Sequence, residues 1–499
     1  MKRRDVVCVI KMDHGIRMDQ MTSLKTFLHS MLALVALLCL AGGVRSGVAA
    51  EQPSIAAPIA APIAAPIAAS EYAARRAALR ARIGDGMVVL FGNGEPAGSE
   101  AFRTFHQESN FLYLTGYDLP GAMLVMPPAA SSDGQGVRGG APATDTLYIP
   151  PRDSTAEIWT GPQLDPQAPA TAARYGFPAV RSSKEFDGDV RRLARRAGPA
   201  AGPAAGKIIT QQPAPHASEE DTAGARARIE RLKKLTGKSG FGSITAELTP
   251  QRQIKSSGEQ ALIRGAVDCT MKAHRAAGDA LKPGLREYQV AALMKYVMES
   301  EGCTVTGFDP IVAAGPRSII LHYLRGEGSV AEGDLVVLDV GGEYRDYSAD
   351  VTRTLPASGK FTPRQREIYE IVLGAQEAVL KAIRPGAKLY GMGGSLHNIA
   401  REYLDSHGKD AKGNSLGKYF THGIGHQVGL DVHDAEDRGS VLREGMVIAI
   451  EPGLYLPEEN IGVRIEDNAL VTRDGGELLS GALPRNVDAI EQWLAGQLE

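Results

Sequence analysis

The chain has 499 residues, of which 43% are hydrophobic and 23% are charged, and its formal net charge at pH 7 is -3. This composition argues against a disordered chain, and so small a net charge leaves no extended basic surface for nucleic acid. Because the length exceeds what one hydrophobic core usually holds, we expect two domains.

The first 50 residues have the pattern of a secretory signal. Basic residues precede an apolar run at 31–42, which is about half as long as a membrane-spanning helix, and small residues follow at 48–50. A buried core helix is the alternative. We expect cleavage near Ala50 and export to the periplasm or the medium, without a stable membrane anchor.

Residues 51–71 form an Ala/Pro-rich spacer, in which the four-residue repeat IAAP favours an extended chain. A first α/β domain is expected over 72–244. Its predicted elements are a helix in ARRAALRARI, strands in MVVLFG (87–92), FLYLTGY (111–117) and TLYIP (146–150), and a loop in GPAAGPAAG (198–206).

A second domain is expected over 245–499, because long amphipathic helices there alternate with pairs of strands. One helix is predicted from about Gly258 to Leu281. Another has Thr362 as its cap and Pro363 as its first residue, and it stops before Pro385. The pattern indicates an α+β fold.

Two cysteines, Cys269 and Cys303, follow the predicted signal. They are too few for a disulfide scaffold. One bridge is possible in an oxidising compartment, but we expect two buried free thiols.

A repeated frame places acids at the ends of apolar strands. GDLVVLDVG at 333–341 and GMVIAIEPG at 445–453 each have an acid as their seventh residue, Asp339 and Glu451. Each is followed by a second acid-bearing strand, around Asp350 and around Glu466. A hairpin centred between residues 344 and 345 would place Asp339 opposite Asp350. Four buried carboxylates require a cationic partner, because an uncompensated buried charge costs several kcal/mol.

The stretch THGIGHQVGLDVHD at 421–434 contains three of the eleven histidines. Its glycines argue against a helix, so we predict a strand with His422 and His426 on one face, about 13 Å apart. One metal centre could not use both rings, which predicts one ligating histidine and others along a cleft. Four carboxylates and one imidazole balance two divalent cations, and oxygen-rich ligation favours manganese, magnesium or iron.

These motifs resemble the proline-specific aminopeptidase P branch of the pita-bread metallopeptidases, the family M24. LHY at 321–323, LDVGGEYRDYSADVTRT, THGIGHQVGLDVHD, IEPGLY and VRIEDN match in order over some 250 residues. The first domain also matches, through FHQESNFLYLTGY and PPRDSTAEIWTGP. The resemblance implies a C-terminal pita-bread domain behind a smaller α/β N-terminal domain.

The resemblance also implies a role for each matching residue. Two ions, expected to be Mn²⁺, would be held by Asp339, Asp350, His426, Glu451 and Glu466, with Asp350 and Glu466 bridging. A metal-bridging hydroxide would attack the carbonyl before proline. His433 would donate to the oxyanion, Glu451 would carry the proton to the leaving nitrogen, His322 and His422 would line the cleft, and Arg464 would orient a ligand or the substrate.

The expected substrates are peptides that begin Xaa-Pro, and the expected assembly is a homo-oligomer, a dimer or tetramer. A prolidase that cuts only dipeptides is the main alternative. A non-catalytic peptide-binding module is a remote one, because all five ligand positions are kept. Trp159 could form an apolar wall near the cleft or belong to the core.

Overall fold

The computed structural model describes residues 67–84, 86–94, 104–128, 144–196, 207–213, 219–238 and 240–497. The predicted signal, most of the spacer and the whole GPAAGPAAG stretch lie outside these ranges. Within them, no helix combines the length and the apolar character that a membrane crossing requires.

The N-terminal part is built on a six-stranded mixed sheet. Its strands are β1 (Met87–Phe91), β2 (Met123–Met126), β3 (Thr146–Ile149), β4 (Ala179–Ser182), β5 (Ile208–Thr210) and β6 (Phe241–Ser243). In the sheet they lie in the order β4-β3-β2-β1-β5-β6. Its helices are α1 (Ala69–Ile83), α2 (Ser109–Thr115), α3 (Glu157–Thr160), α4 (Pro169–Tyr175), α5 (Phe186–Arg196) and α6 (Glu219–Thr236). The predicted first helix and the strands β1 and β3 are confirmed.

The strand predicted in FLYLTGY is wrong, because residues Ser109–Thr115 form the helix α2. The Glu108 side chain accepts a hydrogen bond from Phe111 N–H and caps this helix, and Gly116 ends it with a φ of 65°. A short apolar run that is buried on all sides shows no hydrophobic periodicity by which a strand could be told from a helix. The capping residues at its two ends then determine which of the two forms.

The C-terminal part joins antiparallel strands to long outer helices. Its helices are α7 (Ile244–Arg252), α8 (Ser257–Ala280), α9 (Glu287–Ser300), α10 (Pro363–Ala382), α11 (Leu396–Ser406) and α12 (Val487–Leu494). Its strands are β7 (Val305–Thr306), β8 (Ile311–Ala314), β9 (Leu335–Val340), β10 (Gly342–Tyr344), β11 (Tyr347–Ser348), β12 (Val351–Pro356), β13 (Val447–Ile450), β14 (Gly453–Leu456), β15 (Ile461–Arg464), β16 (Asp467–Thr472) and β17 (Gly475–Leu478).

Both predicted long helices are confirmed, and local signals explain their ends. Thr362 caps α10, with Pro363 at its first position and Gln365 completing a capping box. Ser256 and Glu259 form the same kind of box at the start of α8. The buried faces of α8 and α10 pack in the core that also contains the strands β9 and β12.

The register of the first acid-bearing hairpin differs from the prediction by two residues. Asp339 lies opposite Thr352 rather than Asp350, and Tyr344 pairs with Tyr347 across the turn. Arg345 and Asp346 form this turn with φ values of 48° and 70°. Such a left-handed pair matches the twist of a two-residue hairpin, which moves the centre of the turn by one residue.

A short bridge joins the two acid-bearing hairpins. Thr352 N–H donates to the Glu466 carbonyl at 3.3 Å, and Glu466 N–H donates to the Thr352 carbonyl at 3.1 Å. The fully buried Arg353 donates to the Glu466 carbonyl at 2.8 Å and to Asp467 Oδ1 at 2.7 Å. This contact brings the second acid of each hairpin to the same place.

Cys269 and Cys303 form a disulfide, so the expectation of two free thiols is wrong. Cys269 lies within α8, and Cys303 follows the end of α9. The two Cα atoms are 6.5 Å apart across a sequence separation of 34. Their approach depends on how α9 packs along α8, a long-range contact that cysteine spacing does not reveal.

Candidate active site

One cavity of about 570 Å³ brings together all nine metal-ligand and catalytic candidates that the sequence singled out. Its wall contains the five predicted metal ligands and the four further catalytic candidates: Asp339, Asp350, His426, Glu451, Glu466, His322, His422, His433 and Arg464. Ends of strands and irregular segments supply these side chains.

Each acid stands at or next to a strand end. Asp339 is the penultimate residue of β9, and Asp350 directly precedes β12. Glu451 directly follows β13, and Glu466 lies in the interruption between β15 and β16. Carboxylate oxygens of Asp339, Asp350 and Glu466 lie within 4.8 Å of one another, as do ligand atoms of His426, Glu451 and Glu466.

The segment that carries three histidines is not a strand, and this prediction is wrong. It runs irregularly beside β13, where Ala449 N–H donates to the His426 carbonyl at 2.9 Å and Glu451 N–H donates to the Ile424 carbonyl at 2.9 Å. A Cβ atom on Gly425 would overlap the Ala449 carbonyl oxygen. Glycine is needed here because the two backbones come so close.

The His426 ring points its Nε2 atom at the acids. Its Nδ1 atom donates to the Gln427 carbonyl at 3.0 Å, and Nε2 lies 3.5 Å from Asp350 Oδ2. Burial alone would lower the pKa of His426, but the Asp350 and Glu451 carboxylates raise it to about 9. A ring held at Nδ1 by a carbonyl presents Nε2 in the way a metal-ligating histidine does.

The acids repel one another in a buried site. Burial raises the pKa of Asp350 to about 6 and that of Glu451 to about 7. Burial and the three neighbouring carboxylates also raise the pKa of Glu466. Asp339 Oδ1 and Asp350 Oδ1 are buried without a hydrogen-bond partner among the described residues. Unsatisfied, crowded carboxylate oxygens fit divalent cations, which would supply the missing positive charge.

Arg464 and Tyr455 form a polar support that the sequence revealed only in part. Arg464 Nη2 donates to Asp339 Oδ2 at 2.5 Å, and its Nη1 donates to the Tyr455 hydroxyl at 2.9 Å. The same hydroxyl lies 2.9 Å from His422 Nε2. Sequence reasoning missed Tyr455, although alternation from Glu451 through Gly453 places it on the same strand face.

The remaining histidines stand around this acid cluster. His422 Nδ1 lies 3.5 Å from Glu451 Oε2, and the His433 ring centre is 3.9 Å from that of His426. Desolvation lowers the pKa of His422 and of His433 to about 4, helped by nearby positive groups. Both rings are therefore neutral at pH 7, and a neutral imidazole donates one N–H.

An apolar wall completes the cavity, and the sequence did not predict it. It is formed by Phe308, Ile311, Leu321, Leu324 and Val432. Trp159, by contrast, is 85% exposed, so it does not belong to the core. It is not among the side chains that line the cavity.

Comparison with known proteins shows which family the chain resembles over both of its parts. Residues 261–473 match the model of metallopeptidase family M24, and residues 72–200 match the aminopeptidase P N-terminal domain. The Xaa-Pro aminopeptidase of Escherichia coli is 31% identical over 412 residues, which cover 78% of this chain and 88% of that protein.

A second relative and a solved structure are also similar to this chain. A Xaa-Pro dipeptidase of Pyrococcus horikoshii is 38% identical over 256 residues, which cover 50% of this chain and 69% of that protein. The structure of Pseudomonas aeruginosa aminopeptidase P superposes with a TM-score of 0.72 at 28% identity, covering 87% of this chain and 99% of that one. These matches confirm the expected fold, a pita-bread domain behind a smaller α/β domain, and the chain belongs to the aminopeptidase P branch of metallopeptidase family M24.

Proposed function

We propose that this enzyme is a metal-dependent exopeptidase that releases the N-terminal residue from peptides with proline in second place. One observation carries the proposal: a single cavity combines four carboxylates, an imidazole turned towards them, three further histidines and an apolar wall. Such a wall suits a proline ring, and the polar side suits a peptide carbonyl.

The residues that would hold the metal are Asp339, Asp350, His426, Glu451 and Glu466, whose ligand atoms form overlapping clusters. Thr352 Oγ1 donates to Glu466 Oε2 at 2.8 Å, which holds that carboxylate in one orientation. Mostly oxygen donors favour Mn²⁺ over a thiolate-seeking metal. When bound, two such ions would supply a nucleophilic water and polarise the scissile carbonyl.

The protein's own groups would move protons and hold the substrate. His433, neutral at pH 7, would donate its N–H to the oxygen of the scissile carbonyl as negative charge develops there. Glu451, whose pKa burial raises to about 7, is suited to take up a proton and pass it to the proline nitrogen. His322 and His422 would line the substrate cleft, and Arg464 would keep Asp339 in place.

A dipeptidase is the alternative, and the N-terminal domain argues against it. The Xaa-Pro aminopeptidase relative matches both parts of the chain, whereas the Xaa-Pro dipeptidase matches only half of it. We therefore expect tripeptides and longer peptides to be cut, with proline required in second place.

The deciding experiment compares Arg-Pro-Pro, a longer Xaa-Pro peptide and the dipeptide Gly-Pro, using protein stripped of metal and protein reloaded with Mn²⁺. Hydrolysis of the first two only after reloading is the expected result. Fast hydrolysis of Gly-Pro with no cleavage of the longer peptides would reverse the choice in favour of a dipeptidase. Full activity of the stripped protein would contradict the metal site.

We also propose export, with a mature amino terminus near Glu51. The pattern of residues 1–50 supports this, and the Cys269–Cys303 disulfide is typical of an oxidising compartment. Terminal sequencing of the native protein would test it, because an intact terminus in a cytosolic fraction would contradict export.

The domain limits 72–244 and 245–499 and a homo-oligomeric state, dimer or tetramer, are further proposals. Ile158 and Trp159 are 81% and 85% exposed, and adjacent exposed apolar side chains are typical of surfaces that become covered. Light scattering on the purified protein would give the mass of the particle, and a monomeric mass would contradict the oligomer.

A further inference from the structure

We propose that Arg252 is a positioning residue that, together with Ser109, orients His433 by clamping the turn on which it stands. This turn comprises residues 429–434. The inference rests on the proposed function, because it takes His433 to be the group that donates to the substrate.

The turn is compact and folds back on itself. Gly429 N–H donates to the Asp431 carbonyl at 3.1 Å, and Asp434 N–H donates to the Gln427 carbonyl at 2.9 Å. A Cβ atom on Gly429 would overlap the Asp434 carboxylate. His433 therefore sits between two acids, Asp431 and Asp434, whose side chains decide where its backbone lies.

One guanidinium holds both of these acids. Arg252, only 3% exposed, donates from Nη2 to Asp431 Oδ2 at 2.7 Å and to Asp434 Oδ1. Lys255 Nζ lies 3.2 Å from Asp434 Oδ2 and donates to Gln427 Oε1 at 3.3 Å. Arg252 at the end of α7 and Lys255 shortly after it thus both hold acids of this turn.

The clamp continues into the N-terminal part. Ser109 Oγ donates to Asp431 Oδ1 at 2.6 Å, and Arg252 Nη1 donates to Asn110 Oδ1 at 2.9 Å. Both residues begin α2, which packs in the N-terminal core. A hydrogen-bonded path therefore connects the N-terminal domain to the backbone of His433.

The geometry of the clamp depends on arginine rather than on charge alone. A guanidinium offers several donors in a fixed plane and can hold Asn110, Asp431 and Asp434 together, whereas an ammonium group is a single point charge. Removing the charge altogether would leave Asp434 buried with less compensation and could unfold the protein. Arg252→Lys keeps the positive charge but loses the planar set of donors, so it is the variant to test.

The test is a double-mutant cycle on the holoenzyme, in which Arg252→Lys is combined with His433→Ala. Arg252→Lys alone should lower kcat roughly tenfold, with KM and metal content little changed, since a small displacement of a catalytic group is costly. In a protein that already carries His433→Ala, the same change should lower kcat no further. Arg264→Gln, which breaks an exposed ion pair with Glu477, is the matched control and should leave kcat unchanged.

Ser109→Ala provides a second, milder variant if Arg252→Lys does not fold. We expect it to lower kcat about threefold in the native background and not at all beside His433→Ala. Equal losses in both backgrounds would overturn the clamp while leaving the proposed function intact. An unchanged kcat for His433→Ala alone would instead overturn the role given to His433, and the clamp with it.

Discussion

At the scale of single residues, hydrogen bonds distinguish the histidines from one another. His426 and His422 each have Nδ1 beside a backbone carbonyl, but Nε2 of His426 faces Asp350 whereas Nε2 of His422 faces the Tyr455 hydroxyl. His407 lies elsewhere, exposed and stacked on Tyr403 with ring centres 3.7 Å apart. His433 lines the cavity next to His426, where it can reach a substrate.

This difference predicts unequal effects of two similar substitutions. His433→Ala should lower kcat by roughly 10²-fold or more with a smaller effect on KM, because an oxyanion donor acts in the transition state. His407→Ala should do little. Steady-state kinetics on an Xaa-Pro peptide would check both predictions. Equal losses of kcat in the two variants would contradict a special role for His433 in the cavity.

At the scale of elements, α8 supports the acid-bearing strands from behind. His274, on this helix, is fully buried and donates from Nε2 to the Val351 carbonyl at 2.9 Å, at the start of β12. Burial and the nearby Arg353 lower the pKa of His274 from 6.5 to about 3. Cys269 on the same helix forms the disulfide to Cys303.

The depressed pKa of His274 predicts a loss of stability in acid. The unfolded chain binds a proton on this ring more tightly than the folded chain does. The stability that the neutral, buried ring contributes is therefore fully present above pH 6.5 and is lost as the pH falls towards 3. The slope is about 1.4 kcal/mol per pH unit in that window. Urea unfolding with a chelator present should show that His274→Gln, which can keep the bond to Val351, loses less stability than the native protein between pH 7.5 and pH 5. If the free energy of unfolding fell equally with pH in both proteins, the result would argue against a buried neutral His274.

The disulfide should stabilise the packing of α9 on α8. Replacing both cysteines by alanine should lower the free energy of unfolding by roughly 3 to 4 kcal/mol, the size expected for a loop of this length. Peptide mapping without reductant should recover the two cysteines as one linked pair. Free thiols at both positions would restore the expectation drawn from the sequence.

At the scale of the whole molecule, folding gathers four carboxylates into one cavity and thereby ties stability to metal. Mn²⁺ should bind only the folded protein, and a free concentration 100-fold above Kd should raise the free energy of unfolding by about 2.7 kcal/mol. Thermal unfolding with and without Mn²⁺ would measure this. Asp350→Ala should lose most of the gain, whereas Asp488→Ala, at a side chain 76% exposed, should keep it. Full metal content and rate in Asp350→Ala would refute the proposed ligand set.

Features that depend on near neighbours were predictable from the sequence. Thr362 and Pro363 start α10 because a cap and a fixed φ act within one helical turn. The repeated frame that contains Asp339 and Glu451 indicated buried strands with terminal acids, because a run of mostly apolar residues before an acid already defines both. The resemblance to family M24 then named nine of the residues that line the cavity.

Features that depend on distant partners were decided only by the tertiary structure. The histidine segment became irregular because its backbone packs against β13, and the disulfide formed because α9 lies along α8. Tyr455 contacts Arg464 and His422 because the pairing of the strands places the three side chains together. In each case the deciding contact joins residues that only the folded chain brings together, so local sequence patterns could not specify it.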